Sequence, residues 1–246
     1  MKQSMCFVLF LALAGAAAAQ APLDSVATAA GGASTYVFRP GVGLACTSPS
    51  SIYDTTHASN QGAEITAAAN GPATSMADKI VLGGSARFVC EIAIEVFTLA
   101  ATTPFDLTMS LYTDCSTGGA ANSPCGTGPG TLIPGSVVTV TGVTPPALGT
   151  IFSVVFPYPN VDLSVDPDGA ISVAVNASRS DVFWRISETP VVGSIPAGEP
   201  STSYVERCGS TAANNGCQRN FGVTNNFAIT ISAMATPVEL QGLSVE

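Results

Sequence analysis

Beyond residue 33 the chain repeatedly alternates apolar with polar residues, and no stretch carries the three-to-four-residue stripe of a helix. The cleanest case is Phe105 to Tyr112. Phe105, Leu107, Met109 and Leu111 share one face there, and Asp106, Thr108 and Ser110 share the other. Ile171, Val173 and Val175 alternate with Ser172, Ala174 and Asn176, and Phe227, Ile229, Ile231 and Ala233 with Ala228, Thr230 and Ser232. A period of two belongs to strands with a core on one side. The longer run Arg87 to Leu99 is expected to turn Phe88, Cys90, Ile92, Ile94 and Val96 inward and Glu91 and Glu95 outward. Further strands are expected at Tyr36–Phe38, Lys79–Leu82, Ser136–Thr141, Ile151–Phe156, Asp181–Ser187 and Ser203–Arg207.

Turn chemistry separates these runs at Gly83-Gly84, Pro145-Pro146, Pro157-Tyr158-Pro159 and Asp166-Pro167-Asp168-Gly169. Many short strands with Gly/Pro turns predict an all-β fold, an antiparallel two-sheet β-sandwich wound like a jelly roll. No composition shift divides it and no internal period repeats, so residues 34–235 are expected to form one domain. Residues 20–33, rich in Ala, Gly, Ser and Thr, read as a flexible lead-in, and 236–246 as a C-terminal tail.

The first residues have the pattern of an export signal: Lys2, an apolar run from Phe7 to Ala14, and small residues at Ala17-Ala18-Ala19. Residues 1–19 are therefore expected to be removed after Ala19, with Cys6 among them. Six of the seven cysteines remain, which predicts a disulfide framework in an oxidising, extracellular compartment. Proximity pairs Cys115 with Cys125 and Cys208 with Cys217, leaving Cys46 with Cys90. Zinc would want tighter knuckles or nearby histidines. The two close pairs have nine and eight residues between them, and the single histidine is His57.

With 17 acidic against 8 basic residues, the chain has no basic stripe to release counterions, which disfavours nucleic acid as a partner. The mature chain is expected to carry no membrane anchor.

A nucleophilic hydrolase would need a base beside its serine, and His57 lies in a polar loop with no nucleophile elbow anywhere. Glu91 and Glu95 share a face, but at about 3.4 Å per residue they stand roughly 13–14 Å apart. That is too far for a glycosidase pair, which needs roughly 5–9.5 Å. No catalytic residue is expected.

Calcium is the one ion the oxygens suit, through Asp162, Asp166 and Asp168, although the same Pro-Asp-Gly stretch also reads as an ordinary β-turn. Tyr112 and Tyr158 are expected at the surface as ligand-binding rings. Trp184, the third candidate ring, is in phase with Val182 and Ile186, which also fits a core position. The sequon Asn176-Ala177-Ser178 reads as chance at a strand end.

Three segments, Leu111-Tyr112-Thr113-Asp114-Cys115, Gly130-Thr131-Leu132-Ile133-Pro134-Gly135-Ser136 and Val182-Phe183-Trp184, resemble a group of bacterial exported β-sandwich proteins of the PEP-CTERM-like, or choice-of-anchor, type. Thr236-Pro237-Val238-Glu239-Leu240 is similar to the junction after the last strand in that group. The sorting tail of the PEP-CTERM pattern is absent from this sequence, and the resemblance implies no catalytic residue.

The function expected is that of an exported, non-enzymatic protein of the cell surface or extracellular matrix, binding a glycan or a surface protein. A calcium-assisted polysaccharide-active enzyme and a structural surface or filament component are the alternatives.

Overall fold

A computed structural model describes residues 26–31, 33–40, 46, 49–55, 59–65, 75–113, 131–164, 169–187, 189–195, 205–208, 217–219 and 226–235. Strands and their connections account for all of them, and no helix among them is long and apolar enough to cross a membrane. The chain begins with β1 (Val26–Thr28), β2 (Ala33–Phe38), β3 (Ser50–Thr55) and β4 (Gln61–Glu64). The longer strands follow: β5 (Ser75–Val81), β6 (Phe88–Thr98), β7 (Phe105–Thr113), β8 (Val138–Val143), β9 (Ile151–Asp162) and β10 (Ala170–Ala177). The last are β11 (Val182–Ser187), β12 (Pro190–Val192), β13 (Val205–Cys208), β14 (Cys217–Arg219), β15 (Asn226–Phe227) and β16 (Ile229–Met234).

These strands form two sheets, one of ten strands and one of six. Eight successive strands make the body of both. The first sheet contains the run β4-β11-β6-β9 and the second β5-β10-β7-β8, with every neighbouring pair antiparallel. Within this series only β7 and β8 are consecutive strands in one sheet, so every other connection crosses between sheets. β1, β2 and β13 extend the edges, β16 joins β6 beyond the end of β11 and carries β3 and β12, and β15 joins β11. Among the described strands β2 alone pairs in parallel, alongside β9.

The core lies between the sheets because both contribute their alternate residues to it. Met76, Ile80, Leu107, Met109, Leu111, Ile171, Val173 and Val175 come from the second sheet. Ile92, Ile94, Val96, Phe152, Val154, Phe156, Val182, Trp184, Ile229 and Ile231 come from the first. Burying a side chain of this size contributes about 1.5–3 kcal/mol relative to leaving it in water.

Three departures from the sequence reading have physical causes. Val26–Thr28, inside the stretch read as a flexible lead-in, forms β1, because the backbone edge of β4 pairs with it whatever its side chains are. Within β6 the phase slips at Cys90. Its neighbours Val89 and Glu91 find partners in β16 and β9 with the register broken between them, so Val89 and not Phe88 fills the core. Pro157-Tyr158-Pro159 does not end a strand; it lies inside β9, at that same irregularity. The pairing of β9 with β2 stops at Val154, so the missing proline N–H groups remove no ladder bond on that side.

Candidate ligand-binding face

The rings expected to bind ligand are mostly internal. Tyr158 is buried, in contrast to the exposed position expected of it: the irregularity in β9 turns it into the core between its two prolines. Its hydroxyl has no hydrogen-bond partner among the described residues, and burial pushes its pKa up. Trp184 is buried too, as its phase implied. It stacks on Phe227 at 4.5 Å and donates from Nε1 to the carbonyl of Ala228 at 3.1 Å. A ring spent on the core cannot also stack on a sugar. Tyr112 is half-buried on the outward side of β7.

Of the acidic residues assigned to calcium, Asp162 is described. Its Oδ1 accepts from the backbone N–H of Ser164 at 2.8 Å and from the Ser164 hydroxyl at 2.6 Å. These bonds hold its carboxyl below the usual range. Asp166 and Asp168 lie outside the described residues, as do His57, Cys115 and Cys125. Among the described residues no three His, Cys, Asp or Glu side chains stand close enough to hold a metal ion. Cys46 and Cys90 form a disulfide. The backbone sets Cys208 in β13 next to Arg207, whose register partner in β14 is Cys217.

The carboxylates Glu91 and Glu95 are each matched by an arginine. Arg39 pairs with Glu91 at 2.7 Å near the surface, and Arg185 with Glu95 at 2.5 Å in a largely buried setting. Arg185 also donates to the Ser59 carbonyl at 2.6 Å. This pair stands where one edge of β6 changes partner, from β16 at Ile94 to β11 at Val96.

The outward side of the second sheet offers a different arrangement. Register places Lys79, Ser172 and Tyr112 in one line across β5, β10 and β7. A second line runs through Asn176, Thr108 and Thr139 across β10, β7 and β8. Between them lie Ala77, Ala174 and Ser110, all small. Directly opposed residues in such lines stand about 4.5–5.5 Å apart, so their side chains can act together. The Thr108 and Thr139 hydroxyls hydrogen-bond at 2.9 Å. Lys79 and Ser172 are buried, Tyr112 and Thr108 half-buried, and Thr139 exposed, so access opens toward β8. The Ser172 hydroxyl has no partner among the described residues.

The chain matches no family model, no curated protein and no solved structure.

A polar centre between the sheets was missed by the sequence reading. Asp78, on the inward side of β5 between Met76 and Ile80, is fully buried. Its Oδ2 accepts from the Phe227 backbone N–H at 3.1 Å, tying the second sheet to the first. Burial raises its pKa well above the ordinary carboxyl range, against the pull of backbone N–H groups at Phe227 and Lys79. Tyr53 on β3 accepts a hydrogen bond from the Asn226 amide. Its own pKa is raised by burial and then by the nearby Asp78 charge. The signal was available, since Asp78 falls in phase with apolar neighbours.

The Gly130–Ser136 stretch has a structural explanation in its described part. Pro134 and Gly135, the latter at φ 74°, make the turn that returns Ser136 N–H to the Ile133 carbonyl at 3.2 Å. The buried Ser136 hydroxyl then serves both backbone groups of Leu111, donating to the carbonyl at 3.0 Å and accepting from the N–H at 3.1 Å. Together with Ile133 N–H, which donates to the Leu111 carbonyl at 2.9 Å, this side chain completes the edge of β7 where β8 has not yet begun.

Proposed function

We propose that the protein is an exported, non-enzymatic β-sandwich of the cell surface or extracellular matrix. On this reading it binds a glycan, or another hydroxyl-rich surface component, on the outward face of its second sheet. The observation that carries the reading is the pair of cross-strand polar lines Lys79–Ser172–Tyr112 and Asn176–Thr108–Thr139, whose β7–β8 ends reach the surface. Ala77, Ala174, Lys79 and Ser172 are covered, so the part of this face a ligand can reach is its β7–β8 side, where Thr108, Thr139 and the half-buried Tyr112 supply donors and acceptors.

Further support comes from the winding. The order β4-β11-β6-β9 over β5-β10-β7-β8 is the one we read as a jelly roll, a scaffold that lectin domains use. That support is fold-level analogy alone. The Cys46–Cys90 disulfide and the leader pattern favour an oxidising destination, and the formal charge of −9 favours a neutral over a polyanionic glycan.

The test is a glycan-array screen on purified mature protein, run with calcium and again with chelator. It is repeated with the Thr108→Ala, Thr139→Ala double variant. The expected result is a saturable signal that falls at least about tenfold in the variant, the size of losing roughly 1.4 kcal/mol, with an unchanged melting temperature. A blank array, or a signal indifferent to the double substitution, overturns the reading. Loss with chelator would bring Asp162, Asp166 and Asp168 into the site.

A further inference from the structure

Two phenylalanines pack outside the main core. Phe97 and Phe183 stack with ring centroids 5.2 Å apart and, with Ile151 and Ala29, make a second, smaller cluster against which Ala27 also packs. Their neighbours Val96, Val182, Trp184 and Phe152 point into the main core, so this cluster lies on the outer face of the first sheet. Among the described residues its outer cover is the N-terminal segment.

That segment grips the sheet at both edges. β1 pairs antiparallel with β4, through Val26–Ala63, Ala27–Gly62 and Thr28–Gln61. β2 pairs in parallel with β9, at the opposite end of the β4-β11-β6-β9 run. Between the two, Ala29 N–H donates to the Asn60 carbonyl at 2.8 Å and Gly31 N–H to the Gly149 carbonyl at 2.9 Å.

Within this cluster, what the segment hides is more apolar than what it contributes. Its own members of the cluster are two alanines. Along β2, Tyr36 and Val37 remain 38% and 43% exposed, and the register with β9 is broken between Ala33 and Val37. Removing the segment would uncover two stacked rings, an isoleucine and two open strand edges, a combination that folded proteins keep covered. The segment's own packing, two alanines in the cluster, the Tyr36 ring on Phe152 at 5.9 Å and a partly buried Phe38, is peripheral, and a peripheral segment opens at lower cost than the core strands.

We propose that this outer face is an acceptor site for the same segment of a second copy of the chain, so that the protein can form a closed dimer by exchanging β1 and β2. The occupant is argued from complementarity, since this sequence is the one already seated there. The Cys46–Cys90 disulfide fixes the chain just after the segment onto β6, so the exchanging part ends before Cys46. Eight residues beyond Phe38 reach at most about 26–29 Å, which limits the partner to a neighbour in direct contact. Both forms make the same contacts, so protein concentration sets the balance between them. The proposal is independent of any ligand on the second sheet.

The test uses the mature protein incubated at high concentration just below its melting temperature, then sized by chromatography with light scattering. A twofold rise in mass that grows with concentration is expected. The Thr28→Cys, Gln61→Cys variant closes a lock across β1 and β4, at positions that are register partners and both exposed. Facing residues in an antiparallel pair lie within the Cα separation that disulfides accept. Oxidised while dilute, this variant is expected to remain monomeric after the same incubation. A wild-type protein that keeps a single mass at every concentration overturns the proposal. So does a locked variant that doubles in mass, since its dimer would use another surface.

Discussion

Replacing Asp78 by asparagine probes the polar centre between the sheets. The side chain is fully buried, and its Oδ1 has no partner among the described residues. Burial sets its folded-state pKa well above the ordinary value of 3.8, which the unfolded chain retains. A carboxyl raised in this way favours the folded state in full below the unfolded pKa. That contribution is lost as pH rises toward the folded pKa.

Within that window the folded protein holds about one more proton than the unfolded chain, so its stability falls by about 1.4 kcal/mol per pH unit. Asparagine has no proton to lose. The stability of Asp78→Asn relative to wild type should therefore climb by that slope from about pH 4 upward and level off above the folded pKa. Tyr53, whose pKa is raised above 10.0, stays protonated throughout and adds no slope. The amide leaves a buried N–H₂ group short of acceptors, costing about 1–3 kcal/mol at every pH. The offset between the two curves is therefore uninformative and the slope is the result. Urea unfolding of both proteins from pH 4 to pH 8 gives it. Parallel curves would show that Asp78 titrates in the folded protein as it does in the unfolded chain, which would refute the reasoning.

Four further outcomes follow from the geometry. Removing the Cys46–Cys90 bridge with alanines, across a sequence separation of 44, should cost about 4 kcal/mol on the chain-entropy account, read from urea midpoints. Ser136→Ala leaves the buried Leu111 N–H without its partner, while the Leu111 carbonyl keeps the Ile133 N–H at 2.9 Å, and should cost about 1–3 kcal/mol; an unchanged melt would show that water substitutes for the hydroxyl. A methyl at Gly62 would stand 2.5 Å from the Phe97 ring and 2.9 Å from the Trp184 carbonyl, so Gly62→Ala should destabilise by about 1–3 kcal/mol in the same assay. Thiol labelling of denatured, unreduced mature protein should find no reactive cysteine, and one labelled thiol would break the scheme that pairs Cys115 with Cys125 and Cys208 with Cys217.

Sequence was most legible where a strand has core on one side and partial exposure on the other. Phe105 to Leu111 and Ile171 to Val175 alternate in the structure as they do in the sequence. Trp184, read both as a candidate binding ring and as a core residue, takes the core position its phase allowed. Strands held by their neighbours left no such trace. β4 reads Gln-Gly-Ala-Glu, and its small residues are required by the Phe97 ring and the Trp184 carbonyl pressing on Gly62, a constraint that periodicity cannot express. The irregularity at Cys90 and Tyr158 was equally silent, because a bulge is set by two strands together. Of the proposed binding face, Tyr112 was visible. Its alignment with Ser172 and Lys79 depends on cross-strand register, which a single chain of letters does not contain.

The clasp at the end of β7 has a consequence for how such a chain can change over evolutionary time. Thr113 N–H donates to the Thr131 carbonyl at 2.9 Å, and Thr131 N–H returns to the Thr113 hydroxyl at 3.2 Å. The backbone on either side of residues 114–130 is thus clamped together by this pair, by the Tyr112–Leu132 bridge, by Ile133 N–H on the Leu111 carbonyl at 2.9 Å and by Ser136. Between two ends held in this way, a change in chain length adds only the slowly growing cost of loop closure. The fold thus has a built-in insertion point, where new surface can be tried without renegotiating the core.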